Sequence, residues 1–241
     1  MTVKFAHCLF EQSGTFKHAF EAFGIPAYDY DIQNEYGETD KVVDIFSEIE
    51  CAFLGGISLF EDIDKNDIIV AFFPCIYFCE ASSMYFMGVS ANQRGMSNPG
   101  KILNILEREQ HRHDYYCTLL KLCHVCEVRG LRLIVENPYN AHHFLRFNFP
   151  YTPAVIDMNR RLHGDSVKKP TQFLFINCKP AGKHSMTPLK PMQYTRSRRC
   201  AANAGTCSID RSMIDIEYAR NFIADHILGV DTKYTIKTLF D

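Results

Sequence analysis

An α/β fold, a mostly parallel sheet flanked by helices, is what this 241-residue sequence predicts, and three observations predict it. The runs Asp67-Ile68-Ile69-Val70-Ala71 and Leu131-Arg132-Leu133-Ile134-Val135 are short, apolar and rich in β-branched residues, as strands covered on both faces require. Segments with helical spacing alternate with such runs along the chain. Near the C-terminal end two more strand-like runs lie close enough together to form an antiparallel hairpin.

In chain order, Lys4 to Phe10 reads as a first strand that runs into Glu11-Gln12-Ser13-Gly14-Thr15. Phe16, Ala19, Phe20 and Phe23 then recur at helical spacing until Gly24 ends the helix. After Pro26 a second strand, Ala27 to Ile32, carries Asp29 and Asp31, and a third apolar run is Val42-Val43-Asp44-Ile45-Phe46. The polar, Gly- and Pro-punctuated stretch from Ser82 to Gly100 is expected to be a mobile loop, with a helix beginning near Ile102 and a helical stretch from Tyr115 to Val128. Ala154 to Met158 and Gln172 to Ile176 are the hairpin strands, joined by a charged loop that ends Lys168-Lys169-Pro170. A closing helix places Ile216, Ala219, Phe222, Ile223 and Ile227 on one face.

With 46% hydrophobic residues the chain has enough apolar material for one sizeable domain, taken as 1–241. A net charge of −2 gives no global attraction for nucleic acid, so such binding needs a local basic patch. Residues 178–210 offer one: Lys179, Lys183, Lys190, Arg196, Arg198 and Arg199 interleave with Tyr194, a set equally readable as solvated surface charge. The N-terminal stretch lacks an apolar signal region and no later stretch is apolar enough to cross a bilayer, so a cytoplasmic protein with no membrane contact is expected. Ten scattered cysteines suit a reducing compartment. Cys123-His124-Val125-Cys126 has zinc-like spacing without a second pair, so core thiols are the preferred reading and no metal is expected.

Ligands bind at the carboxyl ends of strands in open α/β sheets, which directs attention to the residues just after the two central runs. One run continues Phe72-Phe73-Pro74-Cys75, the other Glu136-Asn137-Pro138. If the two strands are parallel neighbours, a thiol and a carboxylate meet in one cleft, an arrangement suited to nucleophilic chemistry. Cys79, one helical turn after Cys75, is read as structural. Asp31 at the second strand's end suits a ribose, and Asp44 suits either an adenine site or a helix cap. Arg160 and Arg161, at a predicted strand end, are placed to meet a phosphate or a substrate carboxylate.

The order of Phe10-x-x-Ser13-Gly14-x-Phe16, Asp31, Asp44, Pro74-Cys75, Glu136-Asn137-Pro138 and Lys169-Pro170-Thr171 resembles the DNA (cytosine-5) methyltransferase family, especially its compact phage and prophage members. The resemblance spans most of residues 4–228 and includes Arg211-Ser212-Met213-Ile214 before the last helix. It implies a Rossmann-like class I methyltransferase fold and transfer of a methyl group from S-adenosyl-L-methionine to C5 of cytosine in DNA. Cys75 would add to C6, Glu136 would supply a proton at N3, and Asn137 and Pro138 would hold that carboxylate. Cofactor contacts are implied at Phe10, Ser13, Gly14, Thr15, Phe16, Asp31, Asp44, Ile45 and Phe73. Pro74, Pro138, Arg160, Arg161, Arg196 and Arg198 fall on the substrate side. The target cytosine must be flipped or already single-stranded.

Three positions depart from the family pattern. Gln12 stands where the first loop has a glycine, Phe73 replaces the first proline before the cysteine, and Gln33 replaces a second acid after the second strand. These departures define the alternative, a catalytically inactive relative that binds nucleic acid or a host defence protein. A third class, a nucleotide-level C5-modifying enzyme, would need an arginine cluster that the sequence does not clearly provide.

Overall fold

In the computed structural model, which describes residues 2–182, 187 and 213–231, the chain forms a seven-stranded sheet with helices on both faces. The strands are β1 (Ala6–Leu9), β2 (Ala27–Asp31), β3 (Lys41–Val42), β4 (Ile68–Ala71), β5 (Arg132–Pro138), β6 (Val155–Asp157) and β7 (Thr171–Ile176). Their order across the sheet is β3-β2-β1-β4-β5-β7-β6. The pairs from β3 to β5 are parallel, and β7 runs antiparallel to both β5 and β6. The expected hairpin is therefore present, with β7 inserted between its partner β6 and the parallel block.

Side-chain alternation along the central strands explains why both faces are covered. In β4, Ile69 and Ala71 point into one core while Ile68 and Val70 point into the other. The first core is closed by α2 (Ile45–Phe53) and by α4 (Asn98–Arg129), through Ile45, Ile49, Leu119, Leu122, Cys123 and Cys126. The second is closed by α1 (Thr15–Glu21) and the C-terminal helix α6 (Ile216–Phe222), which widens into a π-helical turn over Ile223–Leu228. Phe222 stacks on Phe173 of β7 at 4.0 Å and meets Phe16 edge-on at 6.1 Å, so strand, first helix and last helix share one aromatic contact. Among the described residues there are also two short helices, α3 (Ser83–Phe86) and α5 (Phe144–Asn148). Among the described residues no helix is long and apolar enough to cross a membrane.

Several local expectations are corrected. The run from Val42 to Phe46 is not one strand: Lys41–Val42 pairs with β2, and then the Asp44 carboxylate accepts from the backbone N–H groups of Phe46 and Ser47 and starts α2. The stretch from Ser82 to Gly100 carries α3 and a 3₁₀ turn at Ala91–Gln93, closed by a capping box between Ser90 and Gln93. The helix expected near Ile102 begins at Asn98, where the Ser97 hydroxyl accepts from Gly100 N–H, and continues unbroken to Arg129. Its 32 residues end at Gly130, whose left-handed φ of 69° suits glycine. Cys123 and Cys126 are core thiols, as their fully buried positions against the sheet require.

The fold also decides the role of Phe16. Its ring is fully buried among Phe72 and Phe222, so it packs the core and cannot reach a cofactor in the crevice. Phe16→Ala should therefore lower unfolding free energy by about 3–5 kcal/mol, the usual loss for truncating a core phenylalanine. Urea titration checks this, and a loss below about 1 kcal/mol would show that the aromatic contact does not hold the two helices.

Candidate active site

The strand order reverses between β1 and β4, and the crevice outside their carboxyl ends is the natural ligand position of such a sheet. A cavity of about 280 Å³ lies there. Its lining includes Phe10, Glu11, Gln12 and Ser13 after β1, Phe72, Phe73, Pro74 and Cys75 after β4, Glu136 of β5, and Lys169. The sequence thus brings Cys75 and Glu136 together because β4 and β5 pair in parallel register, Ala71 beside Val135, which leaves both functional segments at the same end.

The turn carrying Cys75 is tightly anchored. The Cys75 carbonyl accepts from the N–H groups of Phe78 and Cys79 at 2.9 and 3.1 Å, making one helical turn. Phe78 is buried and stacks on Phe144, and the Phe78 carbonyl accepts from Phe144 N–H. On the β5 side, Asn137 Nδ2 donates to the Phe73 carbonyl at 3.1 Å and to the Glu136 carbonyl at 2.7 Å. Asn137 is a positioning residue in this arrangement, since its amide ties the cysteine segment to the strand that carries Glu136; its bonds go to backbone carbonyls and not to the Glu136 carboxylate that the resemblance assigns to it. Pro138 ends β5 opposite Thr171, and its carbonyl accepts from Gln172; it does not line the thiol cavity.

The electrostatics keep the Cys75 thiol protonated at rest. The Cys75 thiol is pushed well above the ordinary thiol range by its hydrogen bond with Cys79, by burial and by the negative charge of Glu136, while Lys169 pulls the other way. Glu136 is buried, and its Oε1 has no hydrogen-bond partner among the described residues. Such an atom carries a desolvation cost of about 1–3 kcal/mol that a donor arriving in the cavity would remove. Lys169 and Glu11 line the site although sequence reasoning gives neither a role, Lys169 entering only as part of Lys169-Pro170-Thr171. For Lys169 the available signal is a cationic side chain just ahead of a strand, in Lys169-Pro170-Thr171. Glu11 offers only its place after the first strand.

Around β1 and β2 the sequence expectations divide. Phe10 and Phe73 line the cavity, with their rings edge-on at 5.3 Å, and Phe46 packs against both from outside the lining. Ser13 also lines it and donates to Glu11, whose carboxylate accepts from Phe16 N–H at the start of α1. Asp31 follows the β2 residue whose carbonyl accepts from Phe10 N–H; it does not line the cavity itself and is half-buried, with its carboxyl pushed up by burial and one oxygen accepting from Gln33 N–H. Thr15 is bonded to Ser13 at the helix start and does not line the cavity. Gly14 is enclosed instead: its φ is 71° and a Cβ there would approach His18 and Glu38 to about 3 Å. Beneath this loop Asp29 is fully buried, and burial next to Glu11 raises its carboxyl to about 8.

Four other expected site residues are placed elsewhere. Asp44 is occupied as the cap of α2, and Ile45 is 2% exposed in the core; neither lines the cavity. Arg160 is corrected most firmly, because its guanidinium is fully buried, 2.8 Å from Asp165 and 3.0 Å from the Met213 carbonyl. It joins the β6 end to the segment before α6 and presents nothing to a phosphate. Arg161 is half-buried on the same short turn. Arg196 and Arg198 lie outside the described residues, as does most of the basic segment.

The thiol environment makes a testable statement about pH. Removing the hydrogen bond with Cys79 takes away the leading influence that favours the protonated form of Cys75, so Cys79→Ala should move Cys75 alkylation by iodoacetamide to lower pH. Peptide mapping between about pH 7 and 10 should show several-fold faster labelling at about pH 8 in the variant. An unchanged profile would mean that Cys79 does not set the thiol's protonation.

No protein-family model matches the chain, and none of the curated proteins matches it.

Proposed function

We propose that this protein transfers a methyl group to C5 of cytosine in DNA through a covalent adduct of Cys75. The observation that carries the reading is the meeting of Cys75, Glu136 and the loop after β1 around one cavity at the sheet's switch point. The strand order with β7 antiparallel between β5 and β6 is consistent with a class I methyltransferase fold.

Cytosine C5 is a weak nucleophile, and addition of a thiolate to C6 converts it into an enamine carbon. In this reading the Cys75 S–H proton leaves as the S–C6 bond forms, and the C5–C6 π electrons are drawn toward N3. Glu136 delivers a proton to N3 and so neutralises the charge that develops there. A carboxylate that first takes the thiol proton and then passes one to N3 keeps the charge of the closed site constant, which suits a thiol held in its neutral form. Its unpartnered Oε1 is the acceptor that would face the exocyclic amine of the base. After the new bond is made, the C5 proton passes to water, the C6–S bond breaks with its electron pair on sulfur, and the N3 proton returns through Glu136 to Cys75, which regains its thiol.

The residues at the β1 and β2 ends suit S-adenosyl-L-methionine: the Phe10, Phe46 and Phe73 rings offer an apolar flank beside the half-buried Asp31 acceptor. Phe10, Ser13, Asp31 and Phe73 would hold the cofactor, which supplies an electrophilic methyl group when bound. Gln12 and Phe73 favour the inactive alternative, and Gln12 does so most directly. Its amide donates to Gln33 and accepts from Glu35 N–H, spanning the mouth where a glycine would leave room.

DNA containing 5-fluorocytosine separates the two readings, because fluorine blocks the final elimination and leaves the enzyme attached. Wild-type protein with S-adenosyl-L-methionine should form a denaturant-stable complex, Cys75→Ser none, and Glu136→Gln should form it about 10²–10⁴ times more slowly. Absence of the complex in the wild type, or its persistence in Cys75→Ser, would contradict the proposal.

A further inference from the structure

A second cavity of about 280 Å³ lies on the opposite side of β5 from the thiol. Its walls are apolar, chiefly Leu119, Leu145, Leu174, Phe149 and Tyr151, and its opening is flanked by Ile156 of β6. Tyr151 is held in place by donation to Glu127 at 2.7 Å, so this wall is fixed before any ligand arrives. The floor includes Asn137, which is 2% exposed and whose Oδ1 has no partner among the described residues. The assignment of that oxygen is fixed by chemistry, since the other end of the amide faces two carbonyls and must be the donor.

At the rim stands Arg146, exposed and lying against the rings of Tyr139 and Phe147 at 5.7 and 5.5 Å. It has no carboxylate partner among the described residues. The cavity therefore asks for three things in order from floor to mouth: an N–H donor, a flat body that fits between apolar and aromatic walls, and an anionic group. A fatty acid meets the last two and leaves Asn137 Oδ1 unsatisfied. A sugar meets the first and is poorly matched to the walls.

We infer that this cavity binds a mononucleotide, with the base edge donating to Asn137 and the phosphate at Arg146. The site is separate from the Cys75 cavity, and the inference does not depend on methyl transfer. Asn137 lines the second cavity alone, and its Nδ2 holds the segment that leads to Cys75.

Calorimetric titration of the full chain with CMP and with AMP tests the assignment, with cytidine, octanoate and inorganic phosphate as controls. At least one nucleotide should bind, and Arg146→Glu should weaken it tenfold or more. Cytidine should bind at least several-fold more weakly than CMP. Ile156→Trp, a substitution on an exposed position that narrows the mouth, should abolish binding without changing the thermal midpoint appreciably. Asp31→Ala, at the other crevice, should leave it unchanged. Absence of nucleotide heat at millimolar concentration, uptake of octanoate alone, or binding that survives both Arg146→Glu and Ile156→Trp would overturn the inference. Binding lost only in Asp31→Ala would place the nucleotide in the first crevice and overturn it equally.

Discussion

One side-chain amide links the two strands on which the candidate chemistry depends. Asn137 Nδ2 reaches across from the end of β5 to the Phe73 carbonyl at 3.1 Å, and this bond fixes the exit of the chain from β4 relative to β5. Phe73 is thereby held with its ring inside the cluster formed with Phe10, Phe46 and Tyr115, and Pro74 and Cys75 emerge in one direction. The next turn is closed by the Cys75 carbonyl and anchored by Phe78. The thiol is placed by the sheet and by this amide, not by a free loop. Parallel pairing is the necessary background, since parallel neighbours leave their carboxyl ends, and the residues that follow them, at the same edge.

The same region concentrates buried polar atoms without partners: Glu136 Oε1, Asn137 Oδ1 and both carboxylate oxygens of Asp29, among the described residues. Each lowers stability by about 1–3 kcal/mol unless it is protonated or met by a donor. For Asp29 the raised carboxyl provides the proton, with burial as the main cause and Glu11 next. Glu136 Oε1 and Asn137 Oδ1 meet no donor among the described residues, and they sit at the strand end where two cavities meet β5. Unsatisfied acceptors aligned on one strand end are sites at which a ligand gains more than its contacts alone supply.

Much of this was legible in the chain, for reasons that differ by residue. Ile68 to Ala71 and Leu133 to Val135 announced strands because continuous β-branched runs need cover on both faces, and both faces are covered. Cys75 and Glu136 were legible because they come directly after those runs. Phe16 shows a conflict between two signals: its helical period with Ala19 and Phe20 put it on the apolar face, and that local pattern prevailed over its place in the resemblance. Asp44 carried a cap signature, with Ser47 three residues later, that competed with a strand reading of the same run. Arg160 was illegible, because its burial depends on Asp165 and on Met213 far along the chain, and no local pattern records that meeting. The second cavity was equally hidden, since α4, α5, β5, β6 and β7 each contribute to it and only tertiary packing joins them.

The central claim is that Cys75 and Glu136 act on cytosine in DNA, and the most direct measurement is base-resolution bisulfite sequencing of DNA from a host without cytosine methylation of its own that expresses the protein. The account predicts protected cytosines in wild-type cells, in short contexts of about two to four base pairs, because a recognition segment as short as residues 178–210 reads few bases. Cells expressing Cys75→Ser should show only background conversion failure. Equal protection in both, or none in the wild type at confirmed expression, would contradict it.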